Sequence, residues 1–486
     1  MHRIRALFSA ESASANCRSI VRINPYYWRM PLIVSLGALG VFIWGARSAW
    51  AEVGSPQRPN IVFILADDLG YGDLPCYGRD DLSTPAIDRL AREGVRFTQA
   101  YANGPECTPT RAAFLTGRYQ QRIGGLECAI GIGDVGRYDD AMRLALAGKL
   151  GLPTEETTIV SLLQNAGYDT VLFGKWHLGY ASKFSPQRHG FRLSRYCLGG
   201  GMDYFYYTDT LGIYNLYENG ELLWTKGYFT DLLADWAEAY LSTVGTRPFF
   251  LYLAFTAPHS PYQGPDDDPG HPLPGDSPLW DQGRSDPKVY CAMIERMDKA
   301  IARVLQSLDR HQLTDNTVVI FASDNGGTRS GRNAPLSGYK GSTQEGGIRV
   351  PAIVRWPGHV PPGTTSDQVC ITMDFSASII RLSGAPLPRG CTLDGLDVIA
   401  LLESGTPPVP RTLFWRARRG DSTWWAVRDS DTKYWRHQKG EKMEEHLFDL
   451  ASDPSESHDL LPAQPDRAAV LRKMLARWEE QVKPRR

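Results

Sequence analysis

A chain of 486 residues, 42% hydrophobic and 22% charged, is long enough for one large apolar core with a smaller appended domain, and too apolar to remain disordered. Its formal net charge of −1 excludes a protein-wide field that would recruit nucleic acid or an acidic membrane, so an anionic ligand must be held by local groups.

Taken in chain order, arginines, the apolar run Met30–Ala46 and the small-residue site Ala49-Trp50-Ala51 read as an export signal cleaved after Ala51; an uncleaved anchor is the alternative, and translation starting at Met30 is compatible with both. Residues 1–51 are set aside on this reading. The mature chain is expected to be periplasmic or secreted, with no stable membrane contact once the signal is removed. Without Cys17, the remaining Cys76, Cys107, Cys128, Cys197, Cys291, Cys370 and Cys391 form an odd set for an oxidising compartment. One of them therefore needs a separate explanation, the others are candidates for pairing, and no spacing is a zinc pattern.

Asn60–Ala66 is the first of four short apolar runs that read as buried parallel strands, and it ends in Asp67-Asp68. Thr84-Pro85 opens a helix that stops near Gly94. Cys107-Thr108-Pro109-Thr110-Arg111 joins a loop to a helix start, which puts Cys107 among unsatisfied N–H donors. A plain thiol there is expected to be an acidic nucleophile, with a disulfide or a buried thiol as the non-catalytic alternative. A helix follows from about Thr154 to Gly167, and the strand Thr170–Phe173 leads into Gly174-Lys175-Trp176-His177. In an extended segment, Lys175 and His177 project to the same side. Phe249–Phe255 ends in Thr256-Ala257-Pro258-His259, and Thr317–Ser323 ends in Asp324-Asn325-Gly326. Between them, Met293, Met297, Ile301, Val304 and Leu308 recur at helical spacing within Lys288–Leu308.

Strands alternating with helices predict a layered α/β domain over residues 58–400 with a central, mostly parallel sheet, whose carboxyl edge is where ligands bind. After the Pro-rich joint Gly405–Pro410, residues 401–486 read as a smaller domain. Its expected strands are Thr412–Trp415, Ser422–Val427, Lys433–Trp435 and His446–Leu450, antiparallel and covered by a helix from Pro465 to Val482. At the carboxyl edge, adjacent Asp67 and Asp68 are costly unless a cation lies between them, and Asp324 with Asn325 adds two hard oxygens. Either pair alone would read as a cap or turn. Together they point to calcium or magnesium.

The Cys107-x-Pro109-x-Arg111 core, with Leu115-Thr116-Gly117-Arg118 downstream, resembles the signature of the type I, formylglycine-dependent sulfatases. The resemblance extends from about Arg58 to the C-terminus and is nearest the arylsulfatase A and N-acetylgalactosamine-6-sulfatase types. It implies an alkaline-phosphatase-like fold and conversion of Cys107 to formylglycine by a maturation enzyme, with Arg111 holding the modified residue. It also implies one Ca²⁺ per chain, bound by Asp67, Asp68, Asp324, Asn325 and an oxygen of residue 107. Lys175 and Lys340 would bind sulfate, His177 would orient the aldehyde hydrate and later take its proton, and His259 would stand near the leaving oxygen. The Asn333–Gly341 block departs from the pattern at Ser337, where many relatives carry arginine.

The reaction so implied is hydrolysis of sulfate monoesters of a saccharide, and of small aryl sulfates, with Asp68 as base and His259, aided by Lys340, as acid. The alternatives are a phosphodiesterase or phosphonate monoester hydrolase of the same superfamily, and a non-catalytic sulfated-glycan binder in which Cys107 stays a thiol. Tyr196–Tyr217 and Pro265–Asp286, rich in glycine, aromatics and acids, are expected at the pocket rim, although tyrosines also make ordinary cores.

Overall fold

The computed structural model of the protein describes residues 58–131, 138–283 and 285–484. Cys17, the segment Met30–Ala46 and the cleavage site after Ala51 lie outside the described residues. Among the described residues, no helix is long and apolar enough to cross a membrane.

Asn60–Ala66, Phe249–Ala254 and Thr317–Ser323 are buried at every position, and Asp169–Lys175 at all but its first. Strands that apolar need cover on both faces, which a parallel sheet between helices provides. The four lie side by side and parallel, in the order 317–323, 60–66, 249–254, 169–175, at the centre of a ten-stranded sheet. Leu193–Cys197 continues it in parallel, while Ala352–Arg355 pairs antiparallel with Thr317–Ser323 on the other side.

Alternation along the strands divides the core. Val62, Ile64 and Ala66 join one layer with Ile87, Leu233 and Met297, from the helices Pro85–Glu93, Phe229–Leu241 and Pro287–Arg310. Ile61, Phe63 and Leu65 face the other, with Phe114, Leu163 and Ile379 from Cys107–Thr116, Ile159–Asn165 and Thr372–Ser383. The long helix follows its sequence pattern: Asp286 caps it by accepting from the Lys288 N–H, and all five of the periodic apolar residues are buried. The helix expected from Thr154 begins only at Ile159, because Thr158 and Ser161 exchange side-chain and backbone hydrogen bonds in a capping box.

Thr412–Arg419, Ser422–Asp429, Thr432–Lys439 and Lys442–Asp449 form an antiparallel four-stranded sheet, and Leu471, Leu475 and Trp478 of the helix Pro465–Gln481 close its core. The strands run beyond the aromatic segments seen in the sequence. Backbone pairing continues through the charged ends up to tight turns, where Gly420, Ser430 and Gly440 adopt φ of 59°, 56° and 56°.

Among the described residues the candidates for disulfide pairing are not paired: Cys76, Cys107, Cys197, Cys291, Cys370 and Cys391 carry thiols. Cys197 and Cys370 sit in the two apolar layers, where each behaves as a small hydrophobe.

Candidate active site at the carboxyl edge of the sheet

The chain leaves Asn60–Ala66 through Asp67 and turns sharply at Asp68, whose φ of 65° lies in the left-handed region. Asp tolerates that conformation better than most residues, and the turn sets the two neighbouring carboxylates toward the same site instead of opposite faces. His177, two residues after Asp169–Lys175, has φ of 56°. Two residues of the cluster thus hold uncommon backbone geometry, as functional sites often do.

Cys107 is the first residue of its helix and is buried. Its thiol donates to Asp67 Oδ1 at 3.3 Å and accepts from Lys175 Nζ at 3.2 Å, while Lys175 Nζ also reaches Asp67 Oδ2 at 2.5 Å. One turn along, Arg111 donates from Nε and Nη2 to Asp324 Oδ2 at 3.0 and 2.7 Å, and from Nη1 to the Lys175 carbonyl at 3.2 Å. On the other side, Asp68 Oδ1 receives Lys340 Nζ at 2.8 Å and Asn325 Nδ2 at 2.7 Å, and His259 Nε2 lies 3.6 Å from Asp68 Oδ2. All the residues singled out in the sequence therefore converge on this edge. His177 joins them through the cavity wall it shares with Cys107, His259 and Lys340.

Burial and charge set the protonation states. Burial, with the Asp324 and Asp67 carboxylates, pushes the Cys107 thiol well above its ordinary pKa, against the pull of Lys175 and Lys340. The acidic thiolate expected from the helix N-terminus is thereby corrected, since the sequence does not reveal that two carboxylates flank the sulfur. Burial would raise Asp68, but Lys340, His259, Lys175 and the Asn325 hydrogen bond together hold it at about 2. Asp324 moves the other way, to about 6, through burial and the neighbouring Asp67, despite Arg111. Burial and Lys175 keep His177 far below the usual histidine range; its Nε2–H donates to the Ile130 carbonyl at 2.6 Å, and its Nδ1 is buried without a hydrogen-bond partner. Burial and Lys340 bring His259 down to about 3, with Nδ1 bonded to the Ser260 carbonyl at 2.5 Å.

Ligand atoms of Asp67, Asp68, Cys107 and His259 all lie within 4.8 Å of one another, a spacing suited to one cation. Asp324 and Asn325 are tied to this group through Asp68, whose N–H donates to Asp324 Oδ1 at 3.3 Å. Asn325 Oδ1 is buried and makes no hydrogen bond. An orphaned hard oxygen beside adjacent carboxylates is the donor chemistry a divalent cation of the calcium type requires, so the residues fit such an ion. His259, expected only near the leaving group, belongs to the same cluster.

A cavity of about 460 Å³ opens onto Cys107, His177, His259 and Lys340. Its wall takes Gly199, Gly200, Gly201, Asp209, Leu211 and Asn215 from the first expected rim segment, and Trp280 and Gln282 from the second. Tyr196, Tyr204 and Tyr207 of that first segment belong to the apolar layers instead. Sequence reasoning missed Gln282, whose amide lies 3.3 Å from His259 Nε2, and the ion pair of Glu106 with Arg419 at the cavity wall. Glu106 directly precedes Cys107, a signal that was available; an arginine at a hairpin tip carries none. Ser337 does not line the cavity: its hydroxyl donates to Glu456 Oε2 at 2.5 Å and ties the loop to the C-terminal region.

A family model described as Sulfatase matches residues 59–385, and one described as N-sulphoglucosamine sulphohydrolase, C-terminal, matches residues 340–483. A steryl-sulfatase of Mus musculus is 34% identical over 436 residues, covering 72% of this chain and 65% of that protein, so the chain spans a little under two thirds of its length. An N-acetylgalactosamine-6-sulfatase of Canis lupus familiaris is 33% identical over 400 residues, covering 78% of this chain and 70% of the relative. The solved structure of Ps i-CgsB in complex with k-i-k-neocarrahexaose is 30% identical with a TM-score of 0.76, covering 88% of this chain and 94% of that one.

Proposed function

The chain belongs to the sulfatase family of sulfuric ester hydrolases, and from that premise we propose that it removes sulfate from a sulfated saccharide, using a formylglycine made from Cys107 and one calcium ion. The observation that carries this reading is the setting of Cys107: buried at a helix start, touched by Lys175 and Asp67, with a thiol held protonated. A neutral thiol is a poor nucleophile. Formylglycine in its place supplies, when hydrated, one hydroxyl to attack sulfur and a second to release the sulfate.

Around it, the carboxylates of Asp67, Asp68 and Asp324 meet the cations of Lys175, Lys340 and Arg111, so the side chains by themselves are close to neutral. A divalent ion held by Asp67, Asp68, Asp324 and Asn325, with residue 107, would leave positive charge to receive a sulfate ester and draw density from its oxygens. Lys175 and Lys340 flank that position and orient the sulfate oxygens. Asp68 stays ionised across the working pH range and is the base offered to the attacking hydroxyl. The departing alcohol is served by His259 and Lys340, of which Lys340 holds the proton at rest, since burial keeps His259 neutral. His177, neutral with Nδ1 open, takes the proton of the second hydroxyl.

A cavity of about 460 Å³ admits a sugar residue, and the amino-sugar and neocarrahexaose named for two relatives support a saccharide over a sterol. A small aryl sulfate would also enter. The partners implied are that substrate and a formylglycine-generating enzyme, and the place of action is outside the cytoplasm, as the Met30–Ala46 segment suggests.

The test is mass spectrometry of the Cys107 peptide from protein co-expressed with a maturation enzyme, together with turnover of 4-nitrophenyl sulfate. We expect a residue mass about 18 Da below cysteine, the CHO-for-CH₂SH exchange on which the aldehyde chemistry depends. Turnover should be lost in EDTA and restored by Ca²⁺. An unmodified thiol with no turnover would put the glycan-binder reading in its place.

A further inference from the structure

The cavity wall also holds polar groups that the sulfate chemistry does not use. Asn215 is 5% exposed, and its Oδ1 accepts the Leu198 N–H at 2.9 Å, which fixes the orientation of the amide. Asn215 lines the cavity, and its Nδ2 makes no hydrogen bond among the described residues. Glu106, 8% exposed, accepts Arg419 Nη2 at 2.8 Å and Arg419 Nε at 3.1 Å, and also the Ala129 N–H. A carboxylate has about four acceptor positions, so Glu106 retains room for one more donor. Because it directly precedes Cys107, its distance from the reacting centre is set by a single residue of backbone. Arg419 ends the strand Thr412–Arg419, so the C-terminal sheet is what holds this carboxylate in place.

We propose that Asn215 and Glu106, the latter held by Arg419, are specificity-determining residues that bind hydroxyl groups of the sugar ring carrying the sulfate. A fixed donor and a fixed acceptor lining one cavity match hydroxyls, which donate and accept at once; a flat aryl ring offers neither. Trp280, which also lines the cavity, adds the aromatic surface that sugar rings pack against. The pair also argues for a ring whose other substituents are uncharged: Arg419 is neutralised by Glu106, and Asp209 adds a further carboxylate to the wall. A second sulfate or a carboxylate on the sugar would meet like charge there.

The inference rests on the sulfatase reading, and its test separates the two. Asn215→Asp keeps the oxygen that holds Leu198 and removes the donor; Glu106→Gln keeps the shape and halves the acceptors. The full chain carrying each change, with formylglycine content measured, is assayed on galactose and N-acetylgalactosamine sulfated at O4 or O6 and on 4-nitrophenyl sulfate. For the best sugar, the ratio of its kcat/KM to that of 4-nitrophenyl sulfate should fall about tenfold or more, mainly through KM. A parallel fall on both substrates, or an unchanged ratio, overturns the proposal by assigning the residues to structure alone. Wild-type turnover of the aryl sulfate with none of the sugars also overturns it. Wild-type protein that bears formylglycine and hydrolyses nothing defeats the sulfatase reading itself.

Discussion

Asn60–Ala66 and Thr317–Ser323 are buried throughout and carry their charges only beyond their ends, whereas Thr432–Lys439 in the C-terminal sheet carries Lys433 within the strand and fully buried. Lys433 Nζ reaches Glu345 Oε1 and Glu456 Oε1, each at 2.8 Å, and burial notwithstanding, Lys433, Arg349 and Arg428 hold Glu345 at about 2. Both regions bury compensated charge. They differ in access: Cys107, His177, His259 and Lys340 face a cavity, while the Lys433 cluster joins elements and opens onto none of the described cavities. Buried charge alone therefore does not mark a reactive site; charge that meets open space does.

The comparison is broken most severely at the proposed nucleophile. Cys107→Ala should lower turnover of 4-nitrophenyl sulfate by on the order of 10⁴–10⁶-fold, the range lost when a covalent nucleophile is removed, with the urea midpoint little changed. Arg111→Met and Lys433→Met sharpen it, because each strands buried carboxylates and should cost about 3–5 kcal/mol in urea unfolding. Their activities should diverge: the folded Arg111→Met protein should lose turnover, and the folded Lys433→Met protein should keep its kcat. Equal loss in both would erase the distinction between the regions.

A smaller effect isolates a titrating group outside both clusters. His189, packed against Trp176 with ring centroids 5.5 Å apart, is pushed down to about 4 by burial from an ordinary 6.5. The unfolded chain then binds more protons between those two values, so the stability His189 contributes is present above pH 6.5 and lost as pH falls toward 4. Between pH 7 and pH 5 this should amount to about 2 kcal/mol, and His189→Phe should flatten the dependence of the urea midpoint over that interval. A slope unchanged by the substitution would assign the acid sensitivity elsewhere.

Much of the candidate site's edge was legible because it follows short-range rules. Continuous apolar runs named the parallel strands, and the first charged or imidazole residues after them, Asp67, Lys175, His259 and Asp324, named the candidate site, since a parallel sheet must deliver its strand ends to one edge. The C-terminal strands were read too short for the converse reason. Antiparallel pairing is held by the backbone, and it continues through Arg418, Arg419 and Lys439 where apolar pattern gives no cue.

What the sequence by itself determined is the alternation of strand and helix, the residue types gathered at the strand ends, and the cysteine set at a helix start. Tertiary structure alone decided that the cysteine would be an undissociated thiol, because burial raises it first and the two carboxylates that raise it further arrive from strands about 40 and 217 residues away, and a charge effect depends on distance in space, not along the chain. It likewise decided which loops form the cavity wall. Glu106, Asn215, Gln282 and Arg419 come from segments without periodicity, and only packing of the C-terminal sheet against the central domain brings the last of them beside the first.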